Sequence, residues 1–185
     1  MNRLIVSVAL LMASSANAAQ LSTCLDKIQS KCGFREAFSA LVQLTRLDNN
    51  QDCRLVQGEA STVTFVDSDN IISTDLKSCN VNAAKTYGQI LDSRELAGRL
   101  LIVTSQKRVI VVGQNACIYE LLSTSNEPYE KATGLRDTTN KNGEPAVKIE
   151  GTSAEITAAD LQKRIDNYYK GSGKGKGTLS LISCQ

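Results

Sequence analysis

The sequence predicts an α+β fold: a mainly antiparallel sheet with an N-terminal helical hairpin and a C-terminal helix, stabilised by disulfides. Three observations lead there. Apolar residues recur at helical spacing near both ends, short β-branched runs separated by turn residues lie between them, and six cysteines follow an export-type leader. Strands joined by hairpins, with helices kept to the ends, make an α+β pattern rather than an alternating one.

The leader comes first. Met1-Asn2-Arg3 gives a short positive end, Leu4 to Met12 an apolar run, and Ala16-Asn17-Ala18 a small-residue cleavage signal. Residues 1–18 therefore read as a cleaved signal peptide, and 19–185 as a single secreted α+β domain. The apolar run is about half of the ~20 residues that a membrane-crossing helix needs, so no transmembrane anchor is expected. Leu21-Ser22-Thr23-Cys24 only loosely resembles a lipoprotein cleavage site, and acylating Cys24 would leave an odd number of cysteines to pair.

Cys24, Cys32, Cys53, Cys79, Cys117 and Cys184 all survive cleavage, and an even count in an exported chain points to disulfides. Six cysteines allow 15 pairings. Cys24 and Cys32 would stand about 12 Å apart on one straight helix, so they pair with each other only if that helix breaks. No C-x-x-C occurs, which removes both a thioredoxin-type redox motif and a four-cysteine zinc site.

The elements follow in order. Leu21, Leu25, Ile28 and Cys32 form one helical stripe, Gly33 interrupts it, and Phe34, Phe38, Leu41 and Leu44 resume it. The period then changes to two: Thr62 to Val66 and Ile71 to Leu76 flank a turn at Asp67-Ser68-Asp69-Asn70. Ser93, followed by Arg94-Glu95-Leu96, reads as the start of a short helix. Leu100 to Thr104 and Val109 to Val112 are unbroken apolar runs around Ser105 to Arg108, which predicts a central hairpin covered on both faces. Ala116 to Leu122 supplies a neighbouring strand. Ser123 to Pro145 is a long polar stretch, within which Asn142-Gly143 signals a hairpin turn into Ala146 to Glu150. Thr157 caps a final helix with Asp160 three residues on; Leu161, Ile165, Tyr168 and Tyr169 are its apolar stripe. Gly171 ends that helix, and Leu179 to Cys184 is a last strand.

Chemistry is limited by what is missing. With no histidine in 185 residues, Ser-His-Asp and Cys-His catalysis and histidine-ligated zinc are excluded. Gly171 to Thr178 has the glycines and lysines of a phosphate loop, but no lysine directly precedes the threonine, and a strand rather than a helix follows. Asp48, Asn50, Asp52 and Glu59 stand at positions 1, 3, 5 and 12 of a calcium loop. Cys53, however, occupies the position where the sharp turn wants glycine, and the exit segment reads as strand. Paired carboxylates such as Glu127 and Glu130, or Asp67 and Asp69, remain for hydrolysis. Eight aromatic residues, none of them Trp, give little material for stacking sugars or bases.

Charge divides by region. Arg54 stands against Asp52, Glu59, Asp67, Asp69 and Asp75, while Lys163, Arg164, Lys170, Lys174 and Lys176 stand against Asp166. These are candidate complementary faces of an interaction surface. The net charge of +2 falls to +1 once Arg3 leaves with the leader, so no nucleic acid partner is expected.

The sequence thus leads to an exported, disulfide-stabilised binding protein acting on a protein or cell-envelope partner, with no cofactor, metal or catalytic residue assigned. The 123–145 loop is the expected contact, with Tyr129 as its aromatic anchor flanked by Glu127 and Glu130. The alternatives are an exported carboxylate-dependent hydrolase and a calcium-stabilised structural module.

Overall fold

The computed structural model describes residues 15–42, 52–56, 62–66, 70–85, 88–113, 116–170 and 179–184, with backbone alone at 15–22, 41–42, 52–56 and 66. Two helices come first among the described residues, α1 (Ser15–Cys32) and α2 (Phe34–Val42). Gly33 between them has φ +103°, a conformation that L side chains rarely adopt, so the turn falls on the one residue type suited to it. α1 runs unbroken through the predicted cleavage point and through both Cys24 and Cys32.

Among the described residues every strand pairing is antiparallel, as expected, but the strands divide into three sheets instead of one. The first sheet is a meander of β1 (Asp52–Val56), β2 (Thr62–Val66), β3 (Asn70–Asp75) and β4 (Val81–Lys85). The second contains β5 (Ile90–Leu96), β6 (Arg99–Thr104), β7 (Val109–Val112), β8 (Ile118–Leu121) and β12 (Leu179–Ser183), in the order β12-β8-β7-β6-β5. The third is β9 (Gly134–Thr139), β10 (Pro145–Glu150) and β11 (Glu155–Thr157), after which α3 (Ala158–Tyr169) begins.

Three apolar clusters stack these parts into layers. Ile28, Ala37 and Ala40 of the helices pack on Val63, Phe65 and Ile72 of the four-stranded sheet. The opposite face of that sheet, through Ile71 and Ala84, meets Leu100, Ile102, Ile110 and Val112. The other face of the five-stranded sheet, through Leu101, Val103, Val109 and Val111, meets Leu135, Val147 and Ile149 of the third sheet and Leu161 of α3. Successive residues of β6 and β7 thus feed alternate cores. That is why those strands read as unbroken apolar runs, and why one sheet had to become the middle of several layers.

The Ser93 segment is strand, not helix: Ile90–Leu96 pairs with β6. Asp92 there accepts from Ser93 N, Arg94 Nη1 and, at 3.1 Å, Leu135 N, so its carboxylate docks β9 against the edge of the central sheet. The polar 123–145 stretch is likewise mostly structured. Asn140 to Glu144 forms the tight β9–β10 turn, with Gly143 N donating to Asn140 O at 2.9 Å. The Thr157 cap holds as read, its side chain accepting from Asp160 N at 3.1 Å.

Disulfides join Cys32 to Cys79 and Cys117 to Cys184. Cys24 is disulfide-bonded as well, and the Cys53 side chain lies outside the described residues. The first bridge ties α1 to the turn after β3. Asp75 builds that turn: its carboxylate, 4% exposed, accepts from Lys77 N at 2.9 Å, Ser78 N at 3.3 Å and Ser78 Oγ at 2.6 Å. Asp75 is thus buried and holds the turn, so it does not belong to the acidic interaction face expected from the sequence. Cys79 takes φ 61°, at a cost of ~1–2 kcal/mol for a non-glycine residue, in a conformation fixed by its own N–H bond to Asp75 O at 2.7 Å and by the bridge.

Candidate functional site

The helical hairpin presents the chain's most distinctive surface. Helical spacing puts Phe34 and Phe38 one turn apart on α2, with Ala37 and Ala40 on the adjoining face. The alanines, 6% and 0% exposed, are the residues that pack inward, because small side chains let the helix approach the sheet closely. Both phenylalanines, expected from the sequence as core, are about half exposed at 49% and 50% and stack on each other with ring centroids 5.9 Å apart.

Beside them runs a groove of ≈ 530 Å³ between α2, the turn after β3, β4 and the end of β12. Arg35, Glu36 and Ser39 line one wall, Asn80 and Ser183 the other, and Cys79 of the α1 bridge sits between. The groove wall thus carries one positive and one negative side chain beside two apolar rings. The Cys32–Cys79 bond starts two residues before Phe34, so the aromatic pair is fastened to the four-stranded sheet at its own root.

No family model, no curated protein and no solved structure matches the chain.

The residues expected to form the contact loop are placed differently from one another. Glu127 and Glu130 are exposed, but Tyr129 is 7% exposed and packs in the cluster between the five-stranded and three-stranded sheets. Burial raises its phenol pKa, with the positive charge of Arg164 pulling partly the other way. Tyr129 therefore anchors the loop to the core, and the segment around it is held by Ser123 N to Glu127 O at 2.8 Å and Ala132 N to Tyr129 O at 3.0 Å.

Arg164 was read as part of a basic face, yet it is 7% exposed. Its Nε donates to Asp160 at 2.9 Å and its Nη1 to Leu122 O at 2.9 Å, pinning the start of the same loop to α3. The i,i+4 spacing of Asp160 and Arg164 was the available signal for that pair. Asp67, Asp69 and the segment Gly171 to Thr178 lie outside the described residues, as do Asp48, Asn50 and Glu59. The described part of the calcium-like segment, Asp52–Val56, is a ladder strand paired with β2, so it is extended where a calcium loop would turn. No cluster of three metal-ligating side chains occurs among the described residues.

Proposed function

We propose that this chain is an exported, disulfide-braced binding protein whose partner is another protein, engaged through the outer face of α2. The observation that carries the reading is the stacked, half-exposed Phe34–Phe38 pair. Two large apolar rings left in water at one place, with a polar groove beside them, have the layout of an interface anchor with its rim. The bridge at Cys32 fixes the rings in advance, which lowers the ordering cost of association. Within α2 itself Arg35 and Glu36 offset each other, so the helix that carries the rings has no net basic charge of the kind that settles helices on anionic lipid, and this favours a protein over a membrane surface. Secretion or residence in a periplasm rests on the leader-like first 18 residues together with the disulfides.

The test compares oxidised 19–185 protein with the Phe34→Ser/Phe38→Ser variant. A partner captured from envelope or extracellular fractions is purified, and its affinity for each form is measured by calorimetry. The variant should keep its thermal midpoint and bind at least about tenfold more weakly, as truncation of an aromatic anchor does. A Glu127→Ala/Glu130→Ala variant should bind as wild type. Affinity within twofold for the phenylalanine variant sinks the proposal. So does a wild-type dimer that this variant dissociates, or binding to phospholipid vesicles alone.

A further inference from the structure

On the opposite side of the five-stranded sheet from the hairpin helices lies a second, smaller cleft of ≈ 210 Å³. It is walled by Arg99 at the start of β6, Gly113 after β7, Tyr119 on β8, and Gln162, Asp166 and Tyr169 of α3. Arg99 is only 4% exposed. Its Nη1 donates to Ala97 O at 3.2 Å and its Nη2 to Gln162 Oε1, while its Nε is buried with no hydrogen-bond partner. Gln162 in turn donates through Nε2 to Asp166 Oδ1 at 2.7 Å. The amide therefore stands between the guanidinium and the carboxylate, and Asp166 acts on Arg99 through its charge alone. Burial pulls the Arg99 pKa below its usual value, and the charge of Asp166 opposes that shift.

Two tyrosines complete the wall. The hydroxyls of Tyr119 and Tyr169 lie 2.7 Å apart. Whichever donates, the other keeps its own O–H proton free to donate outward. Gly113 leaves room for this arrangement, since a Cβ there would approach Tyr119 Cε2 to 3.2 Å.

A buried guanidinium with an unused N–H and no carboxylate in contact is an incomplete ion pair, and such a group gains most from an anion that supplies the missing partner. We propose that this cleft binds a carboxylate group, held by the N–H groups that Arg99 keeps beyond its bonds to Ala97 and Gln162, and by the free tyrosine hydroxyl. Arg99 is the one cation among the described lining residues, and Asp166 bonds Gln162 rather than the guanidinium, so the site can pair at most one negative charge and disfavours a phosphate dianion. The planar fork fits the two oxygens of a carboxylate. The volume, below the ~300–1,000 Å³ of drug-sized sites, suits a small acid or the terminal carboxylate of a peptide. The proposal is independent of the α2 contact face.

The test is an NMR titration of ¹⁵N-labelled, oxidised protein at constant ionic strength, with sodium acetate against sodium chloride, inorganic phosphate, and a blocked dialanine peptide carrying either a free or an amidated C-terminus. Acetate should give saturable shifts at Gly113, the Gln162 side-chain amide and Arg99 Nε, and chloride none. Tyr169→Phe, at an exposed position, should weaken binding about threefold to tenfold, the worth of one hydrogen bond, and lower the melting temperature only by what the lost Tyr119 contact supplies. Arg99→Gln should abolish binding, and Gln162→Leu, which frees Nη2, tests the fork should the first variant fail to fold. A free-acid peptide that binds more tightly than acetate assigns the site to chain ends, and equal affinity assigns it to small acids. Shifts that rise linearly and equally with chloride overturn the proposal. Tighter binding of phosphate, equal binding of the amidated peptide, or indifference to Tyr169→Phe does the same.

Discussion

The hydroxyl of Tyr119, a buried residue of β8, lies 2.7 Å from that of Tyr169, the exposed last residue of α3, and so joins the central sheet to the end of the final helix. Burial first, and this hydrogen bond second, raise the Tyr119 pKa far above the ordinary phenol value of 10.0. Burial raises that of Tyr129 as well. The unfolded chain loses these protons near pH ~10 while the folded chain keeps them, so the unfolded state binds fewer protons and stability falls as pH rises past that point. The contribution is intact below pH ~10. Urea midpoints should hold from neutral pH to about 9 and drop above 10, with a shallower drop for Tyr119→Phe. Identical alkaline slopes for the two proteins would refute the assignment.

Arg164 ties α3 to the loop that follows β8 by donating to Leu122 O, and its side chain is only 8% exposed against 38% for Asp160. Arg164→Ala should cost about 2–3 kcal/mol, as losing a buried charged donor does. Asp160→Asn, which disturbs only the more exposed end of the pair, should cost under about 1 kcal/mol. Equilibrium urea unfolding distinguishes the two, and equal losses would mean that the ion pair rather than the Leu122 contact holds the loop.

Asn82 sits in β4, 1% exposed, and neither atom of its side-chain amide has a hydrogen-bond partner. Replacing an unsatisfied buried amide with an apolar side chain of similar volume removes a desolvation penalty. Asn82→Val should therefore raise stability by about 1–2 kcal/mol, an uncommon sign for a core substitution. A lower melting temperature would show that the amide is satisfied in solution.

The Cys32–Cys79 bridge closes a separation of 47 residues. Chain-entropy arguments put its contribution at about 4 kcal/mol, through the denatured state. Cys32→Ser/Cys79→Ser should lower stability by that order and raise amide exchange selectively in α1 and α2, leaving β6 and β7 protected. Uniform loss of protection would mean that the bridge supports the whole stack and not the hairpin in particular.

How much of this was legible in the sequence depended on whether a residue's partner was local. Thr157 and Asp160 cap α3 within a single turn, and the β6–β7 hairpin announces itself by consecutive apolar residues, so both could be read directly. Asp92 could not, because the bond that defines its role comes from Leu135, 43 positions away. Phe34 and Phe38 misled for a different reason: bulk looks like core, yet the sheet beneath accepts only Ala37 and Ala40. Tyr129 was the converse, an aromatic in a polar stretch whose burial depends on Leu161 and the third sheet arriving over it. The Arg99 cleft gathers residues from β6, β8, α3 and the turn after β7, and no local spacing in the sequence marks it.

The place of β12 has a bearing on the order in which the chain can be assembled as it is synthesised. β1 to β4 pair each with the next and can zip up as they emerge. β8 waits for Leu179–Ser183, and Cys117 waits for Cys184. Until those positions have been made, one edge of the central sheet stays bare, with unpaired backbone groups ready to join another chain. A nascent or truncated product ending before residue 179 is therefore the species most exposed to aggregation, and synthesis of residues 179–184 is itself the step that pairs this edge.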